Sequence, residues 1–143
     1  MTRLHVTALG LLVALSACGD TGPAPVVVFL EDADGNVVLE VSAQVADTEA
    51  ARAEGLRGYD TLPADEGLLL AFPSEGEVCI TNAGVDFAID VVYASTDGTV
   101  VAIEHDLAAN APGPYCDDET AFVLEVVAGA ATGAVTLRGV NDM

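Results

Sequence analysis

Apolar side chains recur at every second position through Val85, Phe87, Ile89, Val91 and Tyr93, and this run constrains the fold more than any other stretch. Successive side chains of a strand point to opposite faces, so the spacing predicts a strand that buries one face. Its other face would carry Asp86, Ala88 and Asp90, with the two carboxylates about 13–14 Å apart on an extended backbone. That face is either solvated or the floor of a site.

Shorter runs repeat the signal. Val26–Leu30 and Val37–Val45 read as strands joined by a hairpin turn at Asp34-Gly35, where glycine supplies a positive φ. Asp32-Ala33-Asp34-Gly35-Asn36 is calcium-like in composition but lacks the glycine and glutamate spacing of an EF-hand loop. Thr48 suits a helix N-cap, Glu49 its positive end and Gly55 its left-handed stop, which predicts a helix of barely two turns. Gly67–Phe72 is apolar throughout, as in a strand buried on both faces, and Pro73–Gly76 is expected to turn the chain before a return strand over Glu77–Thr81. Asp97-Gly98 signals a second hairpin, leading into Thr99–Glu104. Leu107–Glu119 is expected to be a long loop, followed by strands over Thr120–Val127 and Val135–Val140. Many short strands with tight turns and little helix predict a mainly β domain, a compact antiparallel sandwich or barrel-like fold with one or two short helices.

The first residues carry an address. Arg3 precedes the apolar run Leu9–Ala14, and Leu15-Ser16-Ala17-Cys18 resembles the cleavage box of bacterial lipoproteins. The run is shorter than the ~20 residues that span a bilayer. Residues 1–17 are therefore expected to be a signal peptide and Cys18 the lipidated first residue of the mature chain. Residues 18–25 would form a tether and residues 26–143 one domain, exported and held to a bacterial membrane facing the periplasm or cell exterior. In an oxidising compartment the remaining Cys79 and Cys116 are expected to form a disulfide.

Charge excludes one class of partner. Twenty-three acids oppose four basic residues, all arginine, for a formal charge of -19. Nucleic-acid binding needs cations that displace counterions from phosphates, so none is expected. No cofactor is implied. Zinc lacks ligands when His105 is the one histidine after the leader and two cysteines pair. Calcium could be held through Asp117-Asp118-Glu119 or through Asp86 and Asp90, which would make the domain a calcium-dependent structural module.

Three stretches in order resemble a known family: Ala46-Asp47-Thr48 with Arg52 and Gly55-Leu56; Asp65–Phe72; and Gly84–Tyr93 followed by Asp97-Gly98 and Val100–Ile103. With Pro114-Tyr115 and Val123-Leu124-Glu125, they are similar to the bacterial and archaeal domain of unknown function 192. The resemblance covers most of Val37–Val140 and implies a compact, often exported β-rich fold without an established activity. The chain departs from the pattern at Arg57, Tyr59 and Ala88, and lacks the basic residue that members present beside Asp90.

No nucleophile elbow or hydrolase pattern is present. The leading expectation is a non-catalytic binding module for a small molecule, a carbohydrate or an envelope protein. Arg52 and Asp90 are the first candidates, as an ion pair joining the short helix to the central strand, because a buried arginine needs a carboxylate. Asp86, Asn82 and His105 are weaker candidates. A small hydrolase or carbohydrate-active enzyme is the alternative, and requires Asp86, Asp90 or His105 to converge in one cleft with a carboxyl pKa pushed upward.

Overall fold

The computed structural model describes residues 23–141 and Met143; the expected signal peptide and the expected lipidation site, Cys18, lie outside the described residues. Seven strands form one sheet: β1 (Val26–Glu31), β2 (Val37–Ala46), β3 (Glu66–Ile80), β4 (Ile89–Ala94), β5 (Val100–Leu107), β6 (Tyr115–Val127) and β7 (Thr136–Arg138). Their spatial order is β5-β4-β6-β3-β2-β1-β7. One short helix, α1 (Glu49–Glu54), lies in the connection from β2 to β3. That connection is long enough to cross over, and β2 and β3 run parallel, from Ser42 opposite Glu66 to Ala46 opposite Leu70. The other pairs are antiparallel, so the expected all-antiparallel sheet is corrected at this one junction.

The sheet curls until its edges meet. Thr99 bridges Thr136, Leu137 N–H donates to the Gly98 carbonyl at 2.7 Å, and Val100 N–H donates to the Val135 carbonyl at 3.0 Å. Gly98 has φ +86°, and a Cβ there would collide with the Leu137 carbonyl oxygen, so this closure requires glycine.

Local sequence explains the elements. Thr48 Oγ1 accepts from Ala51 N–H at 3.1 Å, and Gly55 ends α1 at φ 56°. Asp32 Oδ1 accepts from the backbone of Asp34 and Asn36, which closes the first hairpin and engages the carboxylate that a cation would need. Pro73–Gly76 does not reverse the chain. β3 runs continuously through it, absorbing the irregularity as register shifts against β6 on either side of Gly76. Tyr115–Glu119, expected as loop, extends β6 along that same long strand. Within the pairing Cys79 lies opposite Cys116, and the two are disulfide-bonded across 37 residues of sequence. Closing a loop of that length contributes roughly 3–4 kcal/mol by restricting the unfolded chain. Reduction of the full chain is accordingly expected to shift its urea midpoint down by that stability, measured against the oxidised protein.

Both faces of the central strands are covered. Along β4, Ile89, Val91 and Tyr93 join one cluster with Leu68, Leu70, Val123 and Leu56. Val92 and Ala94 join a second with Leu69, Leu124, Val126 and Leu137. The predicted alternation therefore holds from Ile89 to Tyr93, but its second face is buried too. Val85–Ala88 precede the strand as irregular backbone with a bend at Phe87, after a turn at Ala83-Gly84.

Candidate functional site

Two charged residues interrupt this core, one on each face. Asp90 opposes Val126 and Val91 opposes Glu125, so adjacent register positions send the two carboxyls to opposite sides of the sheet. Asp90 is 0% exposed and Glu125 4%.

Asp90 is fully engaged. Its Oδ1 accepts from Asp106 N–H at 2.9 Å, and its Oδ2 accepts from Ala131 N–H at 3.1 Å and faces His105 Nδ1 at 3.5 Å. Burial acts to raise its pKa. Hydrogen bonds from the backbone of Asp106, Gly129 and Ala131, with His105, outweigh that and leave it below its ordinary value. His105 is half exposed above it, at an open depression that also reaches Gly129 and Thr132. The Thr132 hydroxyl donates to the Gly129 carbonyl at 3.1 Å rather than to the imidazole. Asp90 thus ties β4 to the β5 end and to the 128–134 turns. Asp86 does not join it: its Oδ1 accepts from Asn110 Nδ2 at 3.0 Å in an exposed turn. Among the described residues, no group of three His, Cys, Asp or Glu is arranged to hold a metal ion.

The proposed Arg52–Asp90 pair is corrected. Arg52 NH1 donates to the carbonyls of Asp47 at 2.6 Å and Ala71 at 2.8 Å, and its guanidinium sits 5.0 Å from the centre of the Phe72 ring. The reason is the sheet itself: α1 packs on the Glu125 face, and Asp90 is on the other.

That face holds a cavity of about 150 Å³ between α1, β3, β6 and the Thr81–Val85 turn. At its exposed end are Arg57 and Glu54, with Arg52 half-buried beside them. At its buried end are Leu70, Ile80, Asn82 and Glu125. Arg57 is held over Gly84, with Nε donating to the Ala83 carbonyl at 3.0 Å and NH1 to the Ala53 carbonyl at 2.6 Å. Neither Arg52 nor Arg57 forms an ion pair among the described residues, whereas Arg138 binds Glu31 at 2.8 Å. In a chain of charge -19, two arginines without acidic partners at one opening are a concentrated exception.

Asn82 is 1% exposed and joins three segments. Its N–H donates to the Ala111 carbonyl at 3.0 Å, and its Nδ2 to the carbonyls of Phe87 at 3.0 Å and Ala108 at 2.9 Å. Two carbonyl partners fix which end of the amide is nitrogen. Its Oδ1 is buried without a protein partner, and so is Glu125 Oε2. Burial alone pushes the Glu125 carboxyl up to about 7. Two unpaired acceptors on residues of one cavity wall contrast with the general pairing of buried polar atoms.

Asn82 entered the sequence reading as a weak candidate; Glu125 did not enter as a site residue. Its signal was present: one acid within Phe122-Val123-Leu124-Glu125-Val126-Val127, a run otherwise wholly apolar.

The fold is similar to two solved structures. A protein described as a putative transcription regulator from Sinorhizobium meliloti 1021 matches at 22% identity and TM-score 0.79, covering 86% of this chain and 99% of that one. A protein of unknown function from Novosphingobium aromaticivorans DSM 12444 matches at 19% identity and TM-score 0.73, covering 80% and 84%. At these identities the likeness is one of fold. None of the curated proteins matches the chain. The family model of DUF192, described as Uncharacterized ACR, matches residues 29–139, and across that span, which contains α1, the cavity and all of the curled sheet except the start of β1, the chain belongs to this family.

Proposed function

We propose that the protein is a lipid-anchored extracytoplasmic binding module that holds a small polar ligand, unaltered, in the cavity beside α1. The observation that carries this reading is Glu125, a buried carboxyl without a hydrogen-bond partner among the described residues, in the wall of a cavity that opens past two arginines without acidic partners. Leaving a buried acceptor unpaired costs about 1–3 kcal/mol, more for a charged group, and a ligand that brings donors to this carboxyl offsets that cost on binding.

The cavity's own groups favour binding over chemistry. Cys79, in its wall, is held in the disulfide, and the Thr81 hydroxyl is directed to the carbonyls of Ala111 and Pro112. A nucleophile needs a base within hydrogen-bond reach, and the one histidine of the described residues contacts Asp90 on the opposite face. The charge of -19 opposes nucleic-acid contact, so the transcription-regulator description of the S. meliloti protein is not carried over. The Leu15–Cys18 box supports the anchor, with the tether leading into β1 at Val26.

Two measurements test this. Palmitate labelling of the full chain expressed in a bacterium should label the protein, and Cys18→Ser should abolish the label; equal labelling of the variant contradicts the anchor. In ¹H–¹⁵N spectra, a panel of small amino acids, hydroxy acids, amines and monosaccharides should include a member giving saturable shifts at the amides of Arg57, Thr81, Asn82 and Ala83. A panel without any such member contradicts the cavity as a binding site.

A further inference from the structure

Resting on the reading of this cavity as a binding site, the geometry points to its ligand class: a small zwitterionic α-amino acid about the size of alanine or serine. Its ammonium would bind the Glu125 carboxyl at the buried end, and its carboxylate would face Arg52 and Arg57.

Size comes first. A cavity of about 150 Å³ matches the engineered protein cavity that admits benzene, so a ligand of about six heavy atoms is the upper range. A sugar ring with its hydroxyls is too large, and so is a nucleotide.

Polarity comes next, and it has two ends. The buried end offers the Glu125 carboxyl, which has no donor among the described residues. An ammonium brings three donors and a positive charge to that carboxyl, whereas a hydroxyl brings one donor and no charge. Glu125 is an acid, so a cation gains charge there in a site that water reaches poorly. The open end offers donors. Arg52 directs only NH1 to its two carbonyls, and Arg57 directs Nε and NH1 to its own, which leaves NH2 of each guanidinium for an incoming acceptor. A carboxylate suits that fork geometry.

The two ends do not neutralise one another. Glu125 is buried while Arg57 is exposed and Arg52 half-buried, and neither arginine pairs with Glu125, so cationic and acidic groups line one cavity at separate depths. Glu54 at the opening repels a free dianion, which favours a ligand bearing one carboxylate and a balancing cation. Around Glu125, Tyr59 and Tyr93 are phenols raised first by their own burial, and Glu66 acts on Tyr59 from the start of β3; none supplies a positive charge.

Titration calorimetry of the full chain at pH 7 tests this with three probes: L-alanine, lactate, which replaces the ammonium with a hydroxyl, and ethylamine, which lacks the carboxylate. L-Alanine is expected to bind one per chain, with lactate and ethylamine at least tenfold weaker. Glu125→Gln should weaken L-alanine at least tenfold without weakening lactate, and Arg57→Ala should weaken L-alanine without weakening ethylamine. Alanine affinity should rise with pH as Glu125 ionises, and the Glu125→Gln variant should lose that dependence. Lactate or ethylamine binding as tightly as L-alanine overturns the zwitterion, and so does a Glu125→Gln variant that binds alanine normally. No heat with alanine, together with saturable cavity shifts from another panel member in the spectra above, overturns the ligand class and leaves the binding site standing. Silence in both experiments overturns both.

Discussion

Replacing Asp90 with alanine is expected to destabilise the protein by about 3–5 kcal/mol, a large share of the 5–15 kcal/mol typical of a domain. The side chain itself is small. What it supports is the expensive part: the backbone N–H groups of Asp106 and Ala131 converge on it from two separate segments, with His105 beside them. Asp106 has φ 53° and Ala131 is 0% exposed, so neither amide reaches another acceptor without local rearrangement. Asp90→Asn, which keeps one acceptor oxygen, should cost less. Because hydrogen bonding holds the Asp90 carboxyl below 3.8 against the pull of burial, folding favours its charged form. That contribution is fully present above the ordinary carboxylate range and is lost as pH falls through the lowered folded value. Chemical denaturation of wild type and Asp90→Ala at several pH values checks both points: the gap between them should narrow in acid. An Asp90→Ala variant within 1 kcal/mol of wild type at neutral pH would show that this carboxylate is not the tie described.

Glu125→Gln is expected to act with the opposite sign. The folded protein raises this carboxyl from 4.5 to about 7 by burial, so between those values the folded chain holds a proton that the unfolded chain has released. Stability therefore falls as pH rises from about 4.5 to about 7, by roughly 3 kcal/mol in all at 1.36 kcal/mol per unit. Glutamine cannot ionise and occupies nearly the same volume. The variant should match wild type near pH 4.5 and be about 3 kcal/mol more stable at pH 8, with a flat profile between. Urea unfolding at half-unit pH steps is the measurement. A stabilising substitution that impairs binding is the signature of a functional group held at a cost to the fold.

These two residues also show how far the sequence could be read. The period-two run through Ile89 and Tyr93, the turns at Asp34-Gly35 and Asp97-Gly98, and the Thr48–Gly55 helix were legible because each depends on local geometry. The continuity of β3 through Pro73–Gly76 was not, because pairing with β6 on both sides of the irregularity outweighs the local turn propensity. The side on which each carboxyl falls was not legible either. Asp90 was assigned to an open face because alternation reports only that two faces exist, and covering of the second face by Leu69, Leu124 and Leu137 is a product of the curled sheet. Arg52 was legible as an arginine needing explanation, but its place opposite Glu125 follows from the crossover between β2 and β3, which no spacing encodes.

The central claim is that Glu125 is a buried carboxyl without a protein partner at the deep end of a ligand cavity. Its ¹³C carboxyl resonance, assigned by comparison with Glu125→Gln and followed with pH in the full chain, tests this most directly. The account predicts a midpoint of about 7, moving downward when L-alanine saturates the site. A midpoint at 4.5 or below in the free protein would mean a solvated or already paired carboxylate, and would contradict the site.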